Sequence, residues 1–146
     1  MKKIVSLICL LALVGCVHTS SRLSEFASDG CSLFPDGDFK DPNAWCDCCV
    51  QHDMVYWRGG SEAERVDADL ALKHCVEQKT GNRPLAEIMY QGVRFGGSPY
   101  FPNWYRWGYG WQYGRGYAPL TDEERLQVTR RMAAYYKNPP AKQCPD

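Results

Sequence analysis

Cys49, His52, Asp53 and Tyr56 stand at i, i+3, i+4 and i+7, so a helix would carry all four on one face. Residues of these types could hydrolyse an ester. A neutral histidine takes a proton from water when a carboxylate holds its other ring nitrogen. Asp53, at a slightly different azimuth, could hold a hard cation such as Ca²⁺ together with oxygens from a nearby loop. That ion would polarise the scissile carbonyl and neutralise a substrate phosphate. A histidine beside an aspartate is by itself more often a solvated or satisfied pair than a site. Here the preceding stretch Asp29-Gly30-Cys31-Ser32-Leu33-Phe34-Pro35-Asp36 supplies the oxygen donors, and a second acid-bearing helix follows closely.

The elements that must position these groups are legible in the punctuation of the chain. Residues 29–43 are rich in Asp, Gly and Pro and read as a loop with turns. Asn43, after Pro42, can cap a helix over 44–58, which Gly59-Gly60 stops. Ser61-Glu62-Ala63-Glu64 has capping-box form and opens a second helix that ends near Thr80-Gly81. The short Gly-Gly-Ser joint makes these two helices antiparallel neighbours. Pro84, with Leu85, Ile88, Met89 and Val93 at helical spacing, marks a third helix. Thr121-Asp122-Glu123-Glu124 is another capping box; its helix carries Leu126, Thr129, Ala133 and Tyr136 on one face and ends at Asn138-Pro139-Pro140.

Between the third and fourth helices lies a stretch of another kind, residues 95–117, dense in aromatics and glycines. Trp107, Tyr109, Trp111 and Tyr113 alternate with a period of two, which suits a short hairpin or an extended loop. Two readings stay open: rings packed over a small core, or an interfacial collar, since Trp and Tyr favour the headgroup region of a membrane. The fold class expected is mainly α, a disulfide-bonded helical domain with two antiparallel core helices and an aromatic, glycine-rich loop or hairpin.

The partner carboxylate of His52 should come from the second helix. Asp69 lies on the apolar stripe Ala68, Leu72, Cys75 and Val76, whereas Asp67 shares its face with Ala63, Ala71 and His74. An acid within an apolar stripe requires a partner, because an unpaired buried charge is costly. Asp69 is favoured and Asp67 is the alternative.

The ends and the charge bound the setting. Lys2 and Lys3 precede an apolar run over 4–14 that is short for a membrane span and stops at Gly15-Cys16, the layout of a cleaved signal peptide. Leu13-Val14-Gly15-Cys16 further resembles the lipobox of bacterial lipoproteins. The resemblance implies removal of residues 1–15, acylation of Cys16 and a non-spanning acyl anchor in the bacterial envelope. Val17 is not an acidic retention residue, so the outer membrane is expected rather than the inner. Residues 16–24 then read as a tether and 25–146 as the domain. Removing residues 1–15 takes away two of the 17 basic side chains and none of the 17 acidic ones. A chain so near neutrality has no basic excess for nucleic acid. With Cys9 discarded and Cys16 acylated, six of the eight cysteines remain. In an oxidising compartment they imply three disulfides, whose pairing the count leaves open.

Cys49-Val50-Gln51-His52-Asp53-Met54-Val55-Tyr56 resembles the C-x-x-H-D-x-x-Y helix of secreted phospholipases A2, and Cys48-Cys49 reproduces the double cysteine of the animal enzymes. Asp29-Gly30-Cys31-Ser32 followed by Pro35-Asp36 resembles the calcium loop of the prokaryotic branch, and the animal C-G-x-G-G motif is absent. The resemblance spans residues 29–76. It implies calcium-dependent hydrolysis of phospholipid acyl esters, at the sn-2 position, on a phospholipid membrane surface. His52 would be the general base and Asp53 a Ca²⁺ ligand, with Asp29 ligating through its side chain and Gly30 through its backbone carbonyl. It also implies Cys31 paired with Cys49 and Cys48 with Cys75, leaving Cys46 for Cys144. Asp67 follows Arg65-Val66 much as the family's acid follows a basic and an apolar residue, so both acids stay in play. Two rival classes are a Cys/His metal-binding or redox module built on Cys46-x-x-Cys49, His52 and Cys75, and a non-catalytic envelope lipoprotein on the same scaffold.

Overall fold

The computed structural model describes residues 21–138 and Cys144. The signal peptide expected over 1–15, the lipidation site Cys16 and most of the tether lie outside the described residues. Within them the chain forms four helices, α1 (Cys46–Arg58), α2 (Glu62–Thr80), α3 (Arg83–Gly96) and α4 (Asp122–Lys137), and no strand. None of these helices is long and apolar enough to cross a membrane.

Each helix begins for a local reason. Ser61 and Glu64 form a capping box at α2, and Thr121 and Glu124 form one at α4. Asn82 accepts from the Leu85 amide at the start of α3, where Pro84 costs no hydrogen bond. The start of α1 differs from the sequence expectation. The N-cap is Trp45, with no side-chain cap, and Asn43 is held in a turn by the Asp41 carboxylate instead. Trp45 anchors this end by donating its indole N–H to Pro35 O at 2.7 Å and its amide to Asp36 O at 3.0 Å. The helix therefore starts from a pinned tryptophan, two residues later than expected.

Helices α1 and α2 are antiparallel, as three cross-links between them make plain. Cys48 pairs with Cys75, His52 meets Asp69, and Tyr56 meets Arg65, so numbers rise along one helix as they fall along the other. Helix α3 runs back along α2, with Lys73 against Glu87 and Asp69 against Arg94. Trp45, Cys48, Leu72, Val76, Ala86 and Met89 fill the space among the three helices. The disulfides are Cys31–Cys49, Cys48–Cys75 and Cys46–Cys144. In a domain with so small a core, each is worth roughly 2–4 kcal/mol by limiting the unfolded chain.

The aromatic segment is a loop, not a hairpin, and its local purpose is visible. The last carbonyls of α1 have no partners within the helix. Gly108 N–H donates to Tyr56 O at 2.7 Å, Gly110 N–H to Trp57 O at 3.0 Å, and the Trp111 indole to Arg58 O at 2.6 Å. The Trp107 indole reaches Gly60 O at 2.9 Å. Glycine is needed for this approach, since a Cβ on Gly110 would lie 2.6 Å from the Trp57 ring. Trp107 and Trp111 are thus buried, whereas Phe95, Tyr100, Trp104 and Tyr113 remain more than half exposed. The packing reading holds for Trp107 and Trp111, and the exposed rings take no part in that core.

Leu23 is fully buried and packs with Phe26, Trp57, Trp111 and Leu120, so the folded part begins before residue 25 and takes in the end of the expected tether. Helix α4 lies over the same cluster through Val128, Met132 and Tyr135. The face that carries Leu126, Thr129, Ala133 and Tyr136 is exposed.

Candidate active site

The buried face of α1 presents His52, Asp53 and Tyr56. His52 Nε2 lies 2.8 Å from Asp69 Oδ1, and Asp69 is fully buried. Asp67 is exposed on the same helix. Tyr56 donates its hydroxyl to the same Asp69 oxygen at 2.7 Å. Arg94 donates Nη1 to the other oxygen, Oδ2, at 2.6 Å.

Burial alone would push the Asp69 carboxyl up, but hydrogen bonds from His52, Arg94 and Tyr56 hold it below the ordinary carboxylate value. An ionised Asp69 can only accept, so the tautomer of neutral His52 that fits this contact carries its proton on Nε2 and its lone pair on Nδ1. Burial, reinforced by the Asp69 charge, raises the Tyr56 phenol well above its usual value. It stays neutral and acts as a donor.

Arg65 supports this pair from behind. It is buried and donates Nε to Tyr56 Oη at 3.0 Å, and its Nη2 reaches the carbonyls of Val93 and Arg94 at 3.0 and 2.7 Å. Those carbonyls belong to the last turn of α3, so one guanidinium closes a helix end and orients the tyrosine. Gly97 is close-packed there, since a Cβ would sit 2.5 Å from the Tyr56 ring.

The loop before α1 brings Asp29, Gly30 and Asp36 toward Asp53. The Cys31–Cys49 disulfide ties this loop to the helix one turn before Asp53. Asp53 Oδ2 accepts from Ser28 Oγ at 2.6 Å. Burial pushes the Asp53 carboxyl up to about 7; the Ser28 bond opposes this, and the charges of Asp29 and Asp36 add to it. Asp36 accepts from the Cys31 amide at 2.6 Å, and Asp29 accepts from Ser32 Oγ at 2.7 Å and from the Trp104 indole at 3.3 Å.

Among the described residues no three His, Cys, Asp or Glu side chains converge as a ready-made metal cage. The donor chemistry nevertheless suits a hard cation. A buried carboxylate crowded by two others is relieved by positive charge, and calcium completes its shell with backbone oxygens and water. Asp53 and Asp29, which line one cavity, are the side chains that would hold it, and the family resemblance adds the Gly30 carbonyl. All six described cysteines are in disulfides, which leaves no thiolate for the Cys/His metal module.

A cavity of about 320 Å³ opens against this group. His52, Asp53 and Tyr56 line it, Leu72, Met89 and Val93 form an apolar wall, and Leu33, Ile88 and Phe95 stand exposed around it. Leu33 holds a left-handed backbone with φ 60°, an unusual conformation for a branched residue, and its side chain is 77% exposed.

Several of these residues were missed in the sequence. Arg65 entered there only as the basic residue before Asp67, and neither Arg94 nor Ser28 was given a part in the site. Comparison of the chain with family models, curated proteins and solved structures finds no match.

Proposed function

We propose that the protein is a phospholipase A2-like, calcium-dependent hydrolase of phospholipid acyl esters that works at a membrane surface. The observation that carries this reading is His52, which lines an apolar cavity directly beside Asp53 while the buried Asp69 holds its other face. A histidine that served only packing would not need an ionised carboxylate, itself held by an arginine and a tyrosine.

In this reading Asp69 fixes the Nε2–H tautomer of His52, and Nδ1 removes a proton from water. The resulting hydroxide adds to the acyl carbonyl carbon. The ester C–O bond then breaks, His52 returns the proton to the departing alkoxide, and fatty acid and lysophospholipid leave. Calcium, when bound by Asp53, Asp29 and the Gly30 carbonyl, supplies positive charge for the carbonyl oxygen and the substrate phosphate. The apolar wall of Leu72, Met89 and Val93 receives acyl chain. The exposed Leu33, Ile88 and Phe95 suit contact with the lipid surface from which the substrate is drawn.

The attack at the sn-2 ester, the lipid anchor at Cys16 and placement at the outer membrane are proposed on the sequence resemblances. The test is release of fatty acid from phospholipid vesicles, with free calcium and with a chelator, and with the acyl position identified in the product. Calcium-dependent release of the sn-2 chain is expected. No release under either condition would favour a non-catalytic envelope protein.

A further inference from the structure

Two cavities meet at Asp53, and their chemistry differs. The second, of about 350 Å³, shares Ser32, Asp53 and Tyr105 with the apolar one. Its other walls include Trp104, Tyr109, Glu25 and Asp29, and no lysine or arginine. The polar edges of two of its rings are engaged. Tyr109 Oη donates to Ala27 O at 2.7 Å, and the Trp104 indole donates to Asp29. Trp104 and Tyr105 pack edge to face with centroids 5.2 Å apart. Trp104 is 62% exposed, whereas the other four tryptophans are at most 5% exposed.

Ring faces attract organic cations through their quadrupoles, and nearby carboxylates add to the attraction. A calcium ion would take the oxygens but has no use for three aromatic rings. We propose that this cavity receives an organic ammonium ion, namely the cationic headgroup of a choline or ethanolamine phospholipid, an inference that rests on the ester-hydrolase reading. The order of groups agrees. Acyl chain would lie in the apolar cavity, the ester beside His52, the phosphate near Asp53, and the amine among Trp104, Tyr105 and Tyr109. Arg131 approaches Glu25 at 3.4 Å from outside the lining, so the rings carry the recognition and Glu25 assists.

The test is internal competition in vesicles of equal phosphatidylcholine and phosphatidylglycerol with identical acyl chains, so that both lipids share one interface. Lysophospholipids are counted by mass spectrometry. Lysophosphatidylcholine is expected in about fivefold excess, the selectivity of one partly desolvated cation–π contact. The ratio should fall toward one in Trp104→Leu and persist in Trp104→Phe. Equal products from the unaltered protein, or an unchanged ratio in Trp104→Leu, would overturn the proposal. A second measurement needs no turnover: tetramethylammonium chloride is titrated at saturating calcium while the emission of the exposed Trp104 is followed. A saturable change is expected that sodium chloride does not give and Trp104→Leu abolishes. If the saturable change is absent at saturating calcium and appears only with a chelator, the cavity is the metal's alone and the proposal fails. Tetramethylammonium binding with active but unselective hydrolysis would assign the cavity to a free ammonium ion and overturn the headgroup assignment. Tetramethylammonium binding without hydrolysis of either lipid would leave the cation site standing and sink the hydrolase reading.

Discussion

Arg94 and His52 grip opposite oxygens of one buried carboxylate, Asp69: Nη1 stands 2.6 Å from Oδ2 and Nε2 stands 2.8 Å from Oδ1. Hydrogen bonds from His52, Arg94 and Tyr56 together hold the buried Asp69 carboxyl below its ordinary value, and an ionised Asp69 favours the His52 tautomer with its proton on Nε2. Asp69→Asn should therefore lower kcat by about a hundredfold or more, within the usual worth of a general base. Asp67→Asn, at an exposed position, should stay within about twofold of the parent. Vesicle hydrolysis by both folded variants decides the matter, and the reverse ranking would make Asp67 the partner.

The same carboxylate makes the fold acid-sensitive. Its folded pKa is depressed, so its contribution to stability is full above the unfolded value and is lost as pH falls through the folded one. Urea midpoints at pH 7 and pH 3 should show a larger acid loss for the parent protein than for Asp69→Asn. Glu64 and Glu124, also depressed, act in the same direction in both proteins and cancel in the comparison. Equal acid losses would mean that Asp69 gains nothing from its partners.

Much of this arrangement was legible in the chain. Capping boxes and glycines marked α2 and α4, the Gly59-Gly60 joint implied antiparallel neighbours, and the apolar stripe around Asp69 pointed that acid inward. What escaped depended on contacts far apart in sequence. Arg65 shares a helix with charges that are solvated, and its burial follows from the arrival of the α3 carbonyls, Tyr56 and Tyr117 around its guanidinium. Trp104, Trp107 and Trp111 look alike in sequence. They part company because the Trp111 indole bonds the last carbonyl of α1 and the Trp107 indole bonds Gly60 in the joint that follows, while Trp104 reaches neither. A period of two sorts side chains only where the backbone is a strand, and here it turns.

Asp53 is a buried carboxylate near two others, an arrangement that costs stability until a cation arrives. Asp53→Asn should raise the melting temperature of calcium-free protein at pH 8. In the parent protein calcium should raise that temperature, by about 4 kcal/mol of linkage at a thousandfold excess over Kd. The variant should lose this response. A calcium-induced rise that survives in Asp53→Asn would remove Asp53 from the metal site.

The packing of the aromatic loop and its proposed contact with a membrane call for separate variants. Replacing Phe95, Phe101 and Trp104 together by Ala should weaken vesicle binding with little loss of stability, because all three are exposed. Trp107→Ala or Trp111→Ala should cost about 3–5 kcal/mol of folding free energy, measured by urea unfolding. Unchanged vesicle binding in the triple variant would assign the exposed rings no interfacial part.

In the proposed hydrolysis His52 activates water, and His52→Gln removes that base while keeping a side chain of similar size. The measurement is fatty-acid release from phosphatidylcholine vesicles at saturating calcium, comparing that variant with the parent at matched folded concentration. The parent should release fatty acid and the variant should fall by at least about a hundredfold with vesicle binding retained. Equal release by both proteins would contradict the assignment of His52 as the base.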